Sequence, residues 1–329
     1  MGNAISLHVG VGCPGEDCGT QPLKGADCDA RVMREIARNA GFASTLLIGK
    51  EATLDEVTGN LDRAAHDLYA GDILLVTYSG HGNRVQDCGD GSTSPESDGL
   101  FETWCLADRQ MSDVKAYTHL TKFREDVRIV VIADCCYSGG FAVLNMQEAL
   151  AAARAELGTS EQFGSELIPA THELRVAAEK ALLNSAPPLS IEERMFSSVL
   201  NVPRRSVYNA LLPALLGKRV TASVLLLAST LDNEPAPIHQ EHGGFFTMSL
   251  LDVWDGGRFS GSYPHLISEI AGKLLSQTPN FLPFGKRCPG LLHERPFSIS
   301  ALPCEPPPLA GASRGQSPLV LAHAIPEFH

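Results

Sequence analysis

Residues Ile129–Gly140 read IVVIADCCYSGG. Five apolar residues, four of them β-branched, are followed by an acid, two adjacent cysteines, a tyrosine and small residues. A continuous apolar run of this kind has the pattern of a strand covered on both faces, as in a parallel sheet with helices on either side. Side chains of adjacent residues in extended chain point to opposite sides. Cys135 and Cys136 therefore cannot both face one reactive partner, and the stretch poses the question of which thiol does chemistry.

Working outward, the same kind of strand recurs at Asp72–Tyr78 (DILLVTY), at Ala4–Val11 (AISLHVGV), at Ala43–Ile48 and at Val220–Ala228 (VTASVLLLA). The fourth in chain order is Val127–Ala133, and Phe297–Ala301 is expected to be a last short strand. Helical spacing of apolar residues covers Asp27–Asn39, Thr53–Leu68, Gly244–Trp254 and Tyr263–Leu275. The second of these opens with TLDE, the pattern of a capping box. Strands alternating with helices predict an α/β fold with a mostly parallel sheet.

The chain has 329 residues, 44% of them hydrophobic, with a net charge of −12. That is ample material for a core, and the acidic balance excludes a nucleic-acid surface, which needs a basic face. Nine cysteines occur without a CxxC pair or zinc-ligand spacing. Reduced thiols in a cytoplasmic protein are expected at this size. No signal peptide and no spanning segment is read, so no membrane partner is expected. MGNAIS matches a myristoylation pattern, but Ile5–Val11 already alternates as a core strand, so the match is read as a coincidence.

In an open α/β sheet, ligands gather beyond the carboxyl ends of the strands. The third strand runs into YSGHGN, with His81 between two glycines, and the fourth runs into DCCYSGG. If these strands end at Tyr78 and Ala133, His81 and Cys136 each lie three residues beyond. Equal overhang on neighbouring strands brings imidazole and thiol together. An imidazole that takes the thiol's proton makes it a nucleophile and can then protonate a leaving amine. Amides of Gly82 and Cys136 are the candidate oxyanion hole.

YSGHG followed by D-C-C-Y-S-G resembles the two catalytic motifs of the metacaspases and their bacterial caspase-like relatives. SDGLFETWCLADRQ, LKGADCDA, VLLLASTLDN, GGFFTMSLLDVW and SYPHLISEI resemble further segments of that family, over about residues 4–301. The resemblance implies a three-layer sandwich around a six-stranded, mostly parallel sheet. It implies Cys136 as nucleophile and His81 as base. It places two carboxylates and a hydroxyl, at Asp29, Ser79 and Asp134, around a basic substrate side chain. Two carboxylates in a buried pocket favour guanidinium or ammonium over neutral groups. Without the resemblance, Asp29 reads as a helix N-terminal acid and Asp134 as a loop-ordering one.

The chain departs from the family at several points. Tyr137 stands where His is usual, and Ala26 and Cys28 where Cys and Asn are usual. The calcium-site positions of calcium-dependent metacaspases fall on Phe101, Ser112, Asp113 and Val143, of which only Asp113 is acidic. Calcium takes six to eight oxygens including several carboxylates, so no metal is expected, and the acidic loop with Asp87, Asp90, Glu96 and Asp98 reads as solvated.

The reading divides the chain into a peptidase domain at 1–301 and a Pro-rich tail at 302–329. Within the domain, 1–141 carries His and Cys, 142–219 is a helical insertion, and 220–301 is small-subunit-like. Arg194, Arg204, Arg205, Lys218 and Arg219 are candidate self-processing points. The expectation is a monomeric cysteine endopeptidase acting on protein or peptide substrates after Arg or Lys. The rivals are an inactive caspase-like binding module and a thiol hydrolase acting on a non-peptide acyl group.

Overall fold

A computed structural model describes residues 2–13, 23–85, 101–135, 219–230, 236, 238–239, 243–274, 277–286 and 288–302. In chain order the elements begin with β1 (Ala4–Val11), α1 (Gly25–Asn39), β2 (Ala43–Ile48), α2 (Leu54–Asp67) and β3 (Ile73–Gly80). They continue with β4 (Gly82–Val85), β5 (Phe101–Cys105), β6 (Gln110–Ser112), α3 (Asp113–Leu120) and β7 (Arg128–Asp134). Next come β8 (Ser223–Ala228), β9 (Ile238–His239), β10 (Gly243–Gly244), α4 (Phe245–Trp254), α5 (Tyr263–Lys273), β11 (Asn280–Gly285) and α6 (Pro289–His293).

The central sheet has six strands in the order β11-β8-β7-β3-β1-β2. All neighbours are parallel except β11, which runs antiparallel to β8. Side-chain alternation divides each central strand between two cores. Leu74, Val76 and Tyr78 of β3 join Ile129, Val131 and Ala133 of β7 under α2 and α3. Ile73, Leu75, Val130 and Ile132 face the other way and pack against α1, α4 and α5. Apolar residues on both faces leave a sheet strand only one stable environment, between two helical layers.

The α2 start matches the sequence reading: the Thr53 hydroxyl accepts the Glu56 amide at 3.3 Å. α1 begins at Gly25, two residues before the expected Asp27, and β8 is shorter than the expected Val220–Ala228.

The last strand is a correction. It lies at Asn280–Gly285 and not at Phe297–Ala301. NFLPFG contains a proline, which removes a ladder donor and confines a strand to a sheet edge; Pro283 pairs with Leu225 on the outermost strand. Phe297 instead takes φ +61, a left-handed conformation closed to a strand, and buries its ring against Tyr263 and Trp254.

At the end of the sheet remote from the carboxyl termini of its strands, Arg128 and Glu294 form a buried ion pair. Arg128 Nη1 lies 2.7 and 2.8 Å from the two carboxylate oxygens, and the guanidinium also donates to the carbonyls of Gly71, Ser298 and Ile299. This fork ties the 294–299 segment to the start of β7. The acidic loop at 87–98, nearly all of the 142–219 insertion and the tail from 303 lie outside the described residues. Arg219, at the insertion's end, is exposed.

Candidate active site

β3 and β7 are paired so that Tyr78 faces Ala133 and Ser79 faces Asp134. The offset between partners is 55, the same as the interval from His81 to Cys136. Both strands run further than expected, β3 to Gly80 and β7 to Asp134. β3 gains its extra residues because Ser79 and Gly80 pair with Gly10 and Val11 of β1. His81 therefore lies one residue past its strand and not three. Cys136, the expected nucleophile, lies outside the described residues.

His81 is held by its main chain. Its carbonyl accepts the Tyr78 hydroxyl at 2.7 Å and the Cys105 amide at 3.0 Å. The Tyr78 hydroxyl also contacts the Cys105 carbonyl at 3.1 Å, and its ring stacks on Trp104 with centroids 4.5 Å apart. Partners in an antiparallel ladder alternate between hydrogen-bonded and non-hydrogen-bonded pairs. With His81 and Cys105 hydrogen-bonded, the next pair, Gly82 and Trp104, is the non-hydrogen-bonded kind. The Gly82 amide is thus directed away from β5.

The three residues expected to hold a basic side chain come together. Ser79 Oγ donates to Asp29 Oδ2 at 2.6 Å, and the Gly244 amide donates to the same oxygen at 2.9 Å. Asp134, opposite Ser79 in the ladder, accepts the Thr247 amide at 3.0 Å and the Thr247 hydroxyl at 2.7 Å, both on Oδ2. Asp29, Ser79 and Asp134 are 3%, 3% and 5% exposed. Burial, then the neighbouring charge of Asp134, pushes the Asp29 carboxyl up to about 8 against the opposing bonds from Ser79 and Gly244. Burial likewise raises Asp134, against bonds from Thr247 and Ser229. Among the described residues no cation contributes to either shift. Two buried acids with no cation beside them among the described residues form a site that favours an incoming positive charge.

Asp29 sits in the second turn of α1 and bonds outward to Ser79 of β3 and Gly244 of β10, so its side chain does not serve its own helix terminus. Asp134 does order a neighbouring segment, at the start of α4. Sequence reading missed the opposite wall, Gly243, Gly244 and Thr247. The GGFFT string is visible in the sequence, but nothing linear says which carboxylates it abuts.

Cys135 is 1% exposed and belongs to the apolar core under α2 and α3, on the face opposite Asp134. Its carbonyl accepts the Ser229 and Thr230 hydroxyls at 3.4 and 3.3 Å. A thiol packed in apolar surroundings is inert as a nucleophile.

The family model described as the caspase domain, peptidase family C14, matches residues 13–294. The chain belongs to the caspase-domain peptidase family. Metacaspase-7 of Arabidopsis thaliana is 29% identical over 147 residues, which is 41% of this chain and 34% of that protein. Metacaspase-4 of the same plant is 31% identical over 147 residues, 41% of this chain and 33% of that protein. The chain thus spans about a third of the length of the curated relatives it matches. A crystal structure of a protein from Geobacter sulfurreducens is similar to 91% of this caspase-domain chain and 99% of its own, with 27% identity and a TM-score of 0.60.

Two of the four calcium-site positions are engaged in building α3. Ser112 Oγ accepts the Lys115 amide at 3.0 Å, and Asp113 Oδ1 accepts the Val114 amide at 2.8 Å. Phe101 opens β5, and Val143 lies outside the described residues. No group of three or more His, Cys, Asp or Glu side chains among the described residues is placed to hold a metal ion. Nor is any described helix long and apolar enough to cross a membrane. Among the described cysteines, Cys13, Cys28, Cys105 and Cys135 are reduced thiols, and Cys288, which is disulfide-bonded, departs from that expectation.

Proposed function

We propose that this caspase-domain chain is a cysteine endopeptidase that cleaves peptide bonds after Arg or Lys. Cys136 is the nucleophile and His81 the general base. The observation that carries the reading is the buried pair Asp29, bonded to Ser79, and Asp134, the ladder partner of Ser79, at the ends of the strands that lead to His81 and Cys136. The shared offset of 55 in the ladder and in the His–Cys interval supports pairing those two residues.

In this reading a basic substrate side chain is held between Asp29 and Asp134, which aligns the following peptide bond. His81 takes the Cys136 proton, and the sulfur attacks the carbonyl carbon. The Gly82 and Cys136 amides receive the developing oxyanion, a contribution of about 3–4 kcal/mol per donor in comparable sites. His81 then protonates the departing amine as the C–N bond breaks, and water hydrolyses the thioester. Residues 1–301 act as one peptidase domain and 302–329 as an appended tail. Cleavage after basic residues between 194 and 219 is its self-processing route. The partners are protein or peptide substrates, and the working form is a cytoplasmic monomer that needs no metal.

Arg-, Lys- and Asp-ended fluorogenic peptides, assayed with wild type, Cys136→Ala and Cys135→Ala, test the proposal. Wild type and Cys135→Ala cleave the basic peptides, and Cys136→Ala cleaves none. Activity lost only in Cys135→Ala refutes the nucleophile assignment. No cleavage by any form points to a binding module.

A further inference from the structure

The acids of the pocket come from α1 and β7; besides Ser79 and Ser229, two of the groups that hold them, Gly244 and Thr247, come from the N-cap and first turn of α4. Thr247 is 113 residues from Asp134, and Gly244 is 215 from Asp29. The Asp torsion that turns the carboxylate plane is soft, so an unanchored carboxylate sweeps a wide arc. Here the described bonds to Asp29, and both Thr247 bonds to Asp134, fall on one oxygen, Oδ2. Each carboxylate plane is thereby fixed, which planar, two-point recognition of a guanidinium requires.

The turn also has to come close. A Cβ on Gly243 would lie 1.9 Å from Asp29 Oδ1, and one on Gly244 would lie 2.0 Å from Asp134 Oδ2. Gly243 in addition has φ +103, which L side chains rarely adopt. The two glycines let backbone press against both acids, and the residue three past Gly244 supplies the hydroxyl.

We propose that Thr247 is a positioning residue that determines specificity for a basic side chain, acting through Asp134, with Gly243 and Gly244 as the wall that admits it. The inference rests on the basic-pocket reading of Asp29, Ser79 and Asp134. A donor to a charged acceptor is worth about 1.5–3 kcal/mol, so loss of the hydroxyl weakens substrate capture by at least about tenfold.

The test compares Thr247→Val, Thr247→Ser and Asp134→Asn on an Arg-ended peptide, with the rate of iodoacetamide inactivation as a measure of thiol reactivity. Thr247→Val is expected to raise KM about tenfold, with kcat and the iodoacetamide rate within about twofold of wild type. Thr247→Ser restores KM. Thr247→Ala replaces Val if that variant lacks a cooperative thermal transition, with the same expectation. An unchanged KM in the folded hydroxyl-less variant, with Asp134→Asn raised, overturns this inference and leaves the pocket standing. An unchanged KM in Asp134→Asn overturns both. A fall in kcat that Ser does not rescue marks Thr247 as merely structural and also overturns it.

Discussion

The hydroxyl of Tyr78 donates to the main-chain carbonyl of His81 at 2.7 Å, across three residues of the same chain. Tyr78 is fully buried and stacked on Trp104, so the donor is fixed by packing on one side and by the Cys105 carbonyl on the other. A strand end would otherwise let the His81 backbone fray.

Tyr78→Phe keeps the stack and removes the bond. The expected outcome is a fall in kcat of about three- to tenfold with KM unchanged, in line with about 1 kcal/mol for one neutral hydrogen bond. Steady-state kinetics on a basic peptide reads this directly, and a KM rise without a kcat change argues against the role.

The Asp29 carboxyl gives a pH signature. Its folded-state value of about 8 lies above the ordinary 3.8. The native state therefore holds a proton that the unfolded chain has lost over that interval, and stability falls as pH rises from about 4 to about 8. Asp29→Asn is expected to flatten that slope, so its melting temperature gains on wild type more at pH 8 than at pH 5. A cation requires the ionised pocket, so KM for an Arg-ended peptide is expected to fall as pH rises through about 8.

Remote from the site, the Arg128–Glu294 pair predicts stability effects without catalytic ones. Burial pushes Glu294 up to about 7 despite the Arg128 charge. Glu294→Ala leaves the guanidinium buried without its anion and is expected to cost about 3–5 kcal/mol. Arg128→Met strands the carbonyls of Gly71, Ser298 and Ile299 as well, and is expected to be at least as severe. Denaturant unfolding measures both, and kcat of the folded fraction should stay near wild type.

Calcium is expected to be dispensable. Ser112 Oγ and Asp113 Oδ1 accept amides at the start of α3, and the other two family positions, Phe101 and Val143, carry no carboxylate. Cleavage of a basic peptide should persist in excess EGTA, and loss of activity restored by added calcium would reverse the reading.

The central strands β3 and β7 were legible in the sequence because burial on both faces writes itself as a nearly uninterrupted apolar run. Ala4–Val11 and Ala43–Ile48 match residue for residue. The Thr53 cap was legible because capping is local, a hydroxyl reaching an amide three residues on. His81 could be singled out because a chemistry-bearing residue just past such a run breaks the apolar pattern; Ser79 and Asp134 acquired a role only through the resemblance to the metacaspases.

Other features depended on contacts that linear spacing does not encode. The strand at Asn280–Gly285 escaped notice because its proline is tolerated only at an edge, and edge position is a property of the assembled sheet. Cys135 and Cys136 are equivalent as letters; the core under α2 and α3 decides that Cys135 is packing. The sequence by itself determined a parallel α/β sheet with imidazole, thiol and acid at its strand ends. Only the tertiary structure decided that Asp29 and Asp134 share one buried environment, walled by Gly243, Gly244 and Thr247. A carboxylate's charge state and orientation depend on the groups around it, and those groups are brought there by folding across more than a hundred residues.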